Sequence, residues 1–235
     1  MRHKPIKPKL FSTNRSRLIE LMEPDSLAVI NANDILPTSA DGTLPMQPNP
    51  DLFYLSGIEQ EESVLLLFPD ATDPKNREIL FLRKPSEHLK IWEGHKHSKA
   101  LATKISGIAN VQWLSDFPGM FRLLMCEADS AYLNSNEHGR AVVEVEPRDM
   151  RFARECRHNF PLHNFRRLAP LLHRIRVVKT PMELDLLRKA AEITDKGFRR
   201  ILEFVKPGVT EYEVEAELIH EYTRNRGAFA YNPII

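Results

Sequence analysis

The chain has 235 residues, 42% of them hydrophobic and 28% charged, with a formal net charge of +1. That length fits one to two domains, and the apolar content is enough for a real core, so disorder is not the default. The near-zero charge gives no electrostatic basis for binding nucleic acid or an anionic membrane, either of which favours a basic stripe. Cys126 and Cys156, the two cysteines, have no zinc-ligand spacing and cannot make a disulfide framework; they read as buried or inert thiols, with a single bridge between them left open. The basic start, Met1 to Lys9, is not followed by an apolar stretch, so it reads as a solvated tail and not as a secretory signal. The longest strongly apolar run, Val64 to Phe68, is far too short to span a bilayer. A soluble cytoplasmic protein is the expectation.

In chain order, Ser16 to Met22 has helical spacing and Pro24 closes it, and Leu27 to Ile30 is an apolar run of strand length. Residues 33–51, rich in Pro, Asn, Asp and Gly, predict a long loop of the kind that is functional or disordered. Leu52 to Leu55 and Val64 to Phe68 predict two paired strands around a turn at Gly57 to Glu62, and Glu78 to Leu82 predicts another. Val111 to Leu114 and Ala131 to Leu133 are further strand candidates. Ser98 to Ile105, Phe121 to Cys126 and Asp149 to Cys156 have helical patterns. Continuous apolar strands alternating with helices predict an α/β fold with a mixed sheet covered on both faces.

The last third changes character. Thr180-Pro-Met-Glu183 is a capping box with proline at the first helical position. Leu184, Leu187, Ala191, Thr194, Phe198, Ile201 and Val205 then fall on one face of a long helix, ended by Lys206-Pro-Gly208. Thr210-Glu-Tyr-Glu213 opens a second helix, for which Gly227 is a natural stop. The boundary between the two parts falls within residues 165–178.

No catalytic constellation emerges from these residues. His220-Glu221 begins like a zinc-peptidase helix, but Arg224 stands where the second histidine belongs, and a guanidinium cannot ligate zinc. His95 and His97 could share a strand face, without a third ligand nearby. There is no Gly-rich phosphate loop and no nucleophile elbow.

Two stretches carry more than pattern: Asn49-Pro-Asp-Leu-Phe-Tyr-Leu-Ser-Gly-Ile58 with Glu62-Ser-Val-Leu-Leu-Leu66, and His173-Arg-Ile-Arg-Val-Val-Lys-Thr-Pro-Met-Glu-Leu-Asp-Leu-Leu-Arg-Lys-Ala190. In this order and spacing they resemble the aminopeptidase P branch of the creatinase and methionine aminopeptidase family, over almost the whole chain. The resemblance implies a creatinase N-terminal-like mixed sheet flanked by helices in residues 1–172. Residues 173–235 would then be the first helices of an incomplete pita-bread metallopeptidase domain. It implies a parent protein that removes an N-terminal residue preceding proline, with two divalent ions, usually manganese, held by two Asp, one His and two Glu. None of these five ligands has a counterpart in this sequence, so the chain reads as an inert fragment whose substrates, in the parent, are proline-containing peptides.

Three positions match family residues that reach the substrate. Asp41 matches an aspartate at the substrate end of the cleft, where a carboxylate suits an ammonium group; its plain alternative is an Asx-turn. Trp92 matches a tryptophan that closes a neighbouring subunit's site, which implies a homo-oligomer, dimer or tetramer; its alternative is packing within its own domain. Tyr231 matches a tyrosine near the metal centre; its alternative is a core position. Two other functions compete with the peptidase: a non-catalytic oligomerisation or protein-binding module of the same family, and a prolidase-type dipeptidase.

Overall fold

The computed structural model describes residues 3–85, 94, 96–141 and 144–234. The chain divides into two compact units, Ile6–Val178 and Lys179–Ile235 with Met1–Pro5.

The first unit is built on one six-stranded mixed sheet. Its strands are β1 (Ser26–Asn31), β2 (Val64–Leu67), β3 (Glu78–Leu82), β4 (Asn110–Trp113), β5 (Ser130–Leu133) and β6 (Asn164–Arg167), in the order β4-β3-β2-β1-β5-β6. β1 runs antiparallel to β2, and β2 to β3; the pairs β1–β5, β5–β6 and β3–β4 are parallel. Every residue of β1, β2 and β5 is buried. That is why these strands read as unbroken apolar runs: both sheet faces are covered.

Successive side chains of a strand point to opposite faces. Ala28, Ile30, Leu65, Leu67, Leu80 and Leu82 pack into one layer. That layer is closed by α1 (Pro8–Ile19), α2 (Pro50–Ser56), α3 (Lys99–Ser106) and α6 (Ala169–Val177). Leu27, Val29, Val64, Leu66, Ile79 and Phe81 pack into the other, under α4 (Phe117–Met125) and α5 (Arg148–Asn159). Aromatic rings fill this second layer: Phe117 stacks on Phe121 at 5.3 Å, with Phe81 and Phe160 edge-on to them at 5.2 and 5.7 Å.

Four elements differ from the reading of the sequence. Residues 50–56 form a helix, not a strand paired with β2. The Asn49 side chain accepts from the Asp51 and Leu52 N–H groups, Pro50 occupies the first turn, and Gly57 ends the helix in the left-handed conformation (φ 71°). A side chain at Gly57 would also collide with the Phe11 ring. The first helix begins at Pro8, well before Ser16. Its buried face is Leu10, Phe11, Asn14, Arg15 and Leu18, and two polar members disguise the stripe. Finally, β6 and α6 went unpredicted, because β6 is an exposed edge strand reading Asn-Phe-Arg-Arg.

Arg15 explains how a charge can sit in such a core. Its side chain is 1% exposed, 3.0 Å from Glu78. It donates to the carbonyls of Leu55 (2.8 Å) and Ser106 (3.0 Å). These carbonyls lie in the last turns of α2 and α3, where helix carbonyls lack intrahelical partners. One guanidinium from α1 therefore caps two other helices.

The second unit is a helical hairpin, α7 (Pro181–Phe204) and α8 (Glu211–Arg224); the predicted Thr180 capping box forms, and at Thr210 the Glu213 carboxylate accepts from the Thr210 N–H (2.8 Å) and hydroxyl (2.7 Å). Gly197 is buried where α8 crosses: a Cβ there would stand 2.8 Å from the Tyr222 ring and 3.1 Å from Leu218. Arg200 pairs with Glu217 across the seam. α8 stops at Arg224, before Gly227; the non-glycine Arg226 takes the left-handed conformation (φ 63°), and the Gly227 N–H donates to Tyr222 O (2.8 Å). Among the described residues, no helix is long and apolar enough to cross a membrane.

Candidate functional site

The segment between β1 and α2, predicted as a long loop, folds into an arm. Leu44 N–H donates to Leu36 O (2.9 Å) and Thr38 N–H to Gly42 O (2.9 Å), and Pro37 bridges Thr43. Ala40, left-handed at φ 53°, turns the chain, and Gly42 N–H donates to Ser39 O (3.0 Å). Asp41 sits exposed at this tip. The turn is closed by backbone groups, and no hydrogen bond to the Asp41 carboxylate is found among the described residues. The Asx-turn explanation thus lacks its bond.

The arm is anchored at its base. Arg151 of α5 pairs with Asp34 at 2.6 Å, Asn33 donates to Gln47 O (3.0 Å), and Asn49 donates to Asn33 Oδ1 (3.2 Å). Deeper in lies a second group of polar side chains. Arg176 of α6 is 2.5 Å from Asp51 Oδ1, and Asn134 donates to Asp51 Oδ2 (3.1 Å). Asn31, the last residue of β1, donates to Asp149 (2.9 Å). Burial foremost, and the nearby Asp51 charge after the opposing bond from Asn31, push the Asp149 carboxyl up to about 6. Asn49, Asp51 and Arg176 lie in the two stretches that carry the family resemblance, but none of these residues was assigned a site role from the sequence, because strand ends and helix starts meet only in the fold.

Trp92 lies outside the described residues, as does His95 of the histidine pair. His97 is described; burial lowers its pKa below the ordinary value, and its backbone N–H donates to Gln60 Oε1 (2.7 Å). Tyr231 is 82% exposed, so it is no core residue. It lines an open apolar groove of about 630 Å³ on the helical hairpin, with Ile193, Phe198 and Leu218. Asp41 and Tyr231 belong to different units. The thiols differ too: Cys126 is exposed, against expectation, while Cys156 is buried and pushed up to about 12 by that burial.

Among the described residues, no group of three or more His, Cys, Asp or Glu side chains could hold a metal ion. The described residues do not fit a metal centre.

A six-stranded mixed sheet flanked by helices, with a helical hairpin following in the chain, defines an α/β protein. The model of "Aminopeptidase P, N-terminal domain" matches residues 11–132, and that of "Metallopeptidase family M24" matches residues 185–235. The chain belongs to the aminopeptidase P family. It is 30% identical to Xaa-Pro aminopeptidase of Escherichia coli strain K12, over 96% of this chain and 51% of that protein. With Xaa-Pro aminopeptidase of Haemophilus influenzae the identity is 24%, over 96% and 50%. Among solved structures, an aminopeptidase P from Bacillus anthracis superposes with a TM-score of 0.83 at 26% identity, covering 93% of this chain and 52% of that one. Zinc-substituted E. coli aminopeptidase P in complex with product superposes with a TM-score of 0.76 at 29% identity, covering 94% and 50%. The chain thus spans about half the length of the curated relatives it matches.

Proposed function

We propose that the whole protein is a metal-dependent Xaa-Pro aminopeptidase and that this chain supplies its N-terminal scaffold and part of the cleft wall. The reading is carried by the superposition of nearly the whole chain on aminopeptidase P structures. The metals are two divalent ions, manganese by family, and their ligands lie outside the residues described here. Asp41, raised on its arm and free of local bonds, reads the substrate ammonium. Trp92 shields the proline ring in a neighbouring subunit's site, so the protein acts as a homo-oligomer. Tyr231 supports the metal centre. The domain division is 1–172 and 173–235; α6, Ala169–Val177, nonetheless packs Leu172 and Ile175 into the first unit. The compartment is the cytoplasm, and the 235-residue chain alone is inert.

The test is hydrolysis of a Xaa-Pro-Yaa peptide with Mn²⁺, by the whole protein and by this chain. Turnover by the whole protein and none by the chain supports the reading. Hydrolysis by the chain at the whole protein's rate defeats the inert-scaffold claim; none by the whole protein defeats the peptidase. In the whole protein, Asp41→Asn should raise KM for a free amino terminus more than it lowers kcat, since it removes ground-state binding.

A further inference from the structure

The arm that carries Asp41 cannot hold its own direction. Its two limbs are cross-linked by the Leu44 N–H to Leu36 O and Thr38 N–H to Gly42 O bonds, and Leu36 and Leu44 are 47% and 49% exposed. A lone two-stranded hairpin of this kind is marginal in water. The place of the Asp41 carboxylate is therefore set at the root of the arm, residues 33–34 and 47–49.

That root is gripped from both faces of the sheet. On the α2 side, the Asn49 Oδ1 accepts from the Asp51 and Leu52 N–H groups while its Nδ2 donates to Asn33 Oδ1. Asn33 donates in turn to Gln47 O, so this chain of bonds joins the outgoing limb to the returning one along a single helix start. On the α5 side, Asn31 donates to Asp149 just before the root, and Arg151 pairs with Asp34 within it. Arg151 also donates to the Glu146 carbonyl (2.7 Å), so one guanidinium ties together α5, the segment leading into α5 and the arm. The Glu146 carboxylate is itself paired with Arg154 (2.7 Å). A planar fork of donors suits two acceptors placed this way better than a point charge does. Without Arg151 the arm keeps its bonds to the α2 side, about which it can pivot, and loses the bond that stops the pivot.

We propose that Arg151 is a positioning residue for substrate binding: through Asp34 it sets the direction of the arm and so the place of the Asp41 carboxylate. The proposal rests on the reading of Asp41 as the contact for the substrate ammonium.

Two measurements test the clamp and the reading separately. In the 235-residue chain, hydrogen exchange of the Leu44 N–H reports on the arm without any turnover. Arg151→Met should speed it at least about tenfold while the amides of β1 and β2 keep their protection. Unchanged exchange at Leu44, or equal acceleration in the sheet, overturns the proposal whatever the enzyme does. In the whole protein, with Mn²⁺ and a Xaa-Pro-Yaa peptide, Arg151→Met should raise KM at least about fivefold with kcat within about twofold. Arg151→Lys, which keeps a cation for Asp34, should recover part of that loss. In an Asp41→Asn background Arg151→Met should add nothing, because changes that act through one carboxylate do not add. KM losses that multiply in the double variant, or a loss carried by kcat, overturn the proposal. A wild-type KM in Asp41→Asn overturns the reading of Asp41 and the proposal with it, even where Leu44 exchange is quickened. Should Arg151→Met fail to fold, Asp34→Asn breaks the same pair from the arm and must give the same pattern.

Discussion

In the first unit, β1, β2 and β5 bury all of their residues, whereas α7 and α8 of the second bury Gly197 and Leu218 alone. The strands are buried along both faces, while the two helices are amphipathic. The difference is what their apolar faces meet. The sheet is covered by helices on both sides, so its stability comes from a packed core. The hairpin has one seam, two capped helix starts and surface ion pairs, while Leu187, Phe198 and Leu202 are 52%, 59% and 80% exposed. Helix signals therefore specify helices without specifying a core. Both tryptophans, Trp92 and Trp113, lie in the first unit's sequence, so fluorescence follows its unfolding while circular dichroism follows both.

The sharpest way to break this comparison is to attack the buried charge of the first unit. Arg15→Met keeps the volume of the side chain but strands the carbonyls of Leu55 and Ser106 and leaves Glu78 unpaired. Removing one partner of a buried ion pair costs about 3–5 kcal/mol. A fall of that size in the free energy of unfolding, read from fluorescence-detected denaturant curves, is expected. A fall below about 1 kcal/mol, the worth of an exposed pair, would mean that the guanidinium is not the cap joining α1, α2 and α3.

Next in size is a gain. The Asp149 carboxyl is raised from 3.8 to about 6 in the folded chain. A raised carboxyl pKa means the folded state holds a proton that the unfolded state has lost. Below pH 3.8 both states are protonated and the residue costs nothing; as pH rises toward 6 and beyond, stability is progressively lost. The penalty at pH 7 is on the order of 2–3 kcal/mol. Asp149→Asn should recover it at pH 7 and nothing at pH 3.5. Equal stabilities of variant and wild type at both pH values would remove that cost.

How much of this was legible beforehand follows from where each signal resides. The strand runs at Val64 to Phe68 and Glu78 to Leu82 and the helix starts at Thr180 and Thr210 are local, and the fold keeps all of them. α2 was misread because Leu52, Phe53, Tyr54 and Leu55 form a strand-like apolar run; the Asn49-Pro50 start and the Gly57 stop were the better guide. β6 has no apolar run to read, since its stability comes from pairing with β5. Asp41 was legible as a loop residue, but the arm's backbone pairing was not. Asp149 and Asn134 carry no signature at all, because their burial depends on two strands ending side by side.

A pair of glycine substitutions separates the units at about 1 kcal/mol. Gly119 in α4 faces open space, so Gly119→Ala should gain roughly 0.5–1 kcal/mol from reduced freedom of the unfolded chain. The same change at Gly197 gains helix propensity but drives a methyl into Tyr222 and Leu218. Overpacking costs about 1–3 kcal/mol, so a net loss is expected in the helical signal with fluorescence unmoved. A stabilised Gly197→Ala would show that the α7–α8 seam is looser than its 2.8 Å approach implies.

The smallest effect is expected at Leu202, which is 80% exposed on α7. A side chain already in water loses no burial when it becomes polar, so Leu202→Ser should change stability by less than about 0.5 kcal/mol. The contrast with a buried leucine of the sheet, where truncation costs about 2–5 kcal/mol, is the comparison of the two units reduced to one residue type. Sedimentation of the chain across a concentration series completes the measurement. If Leu202→Ser lowers the free energy of unfolding by more than about 1 kcal/mol, roughly the worth of one buried methylene, and the loss grows with concentration, then α7 is covered by another molecule in solution. The hairpin would then owe its stability to the same apolar burial that holds the sheet.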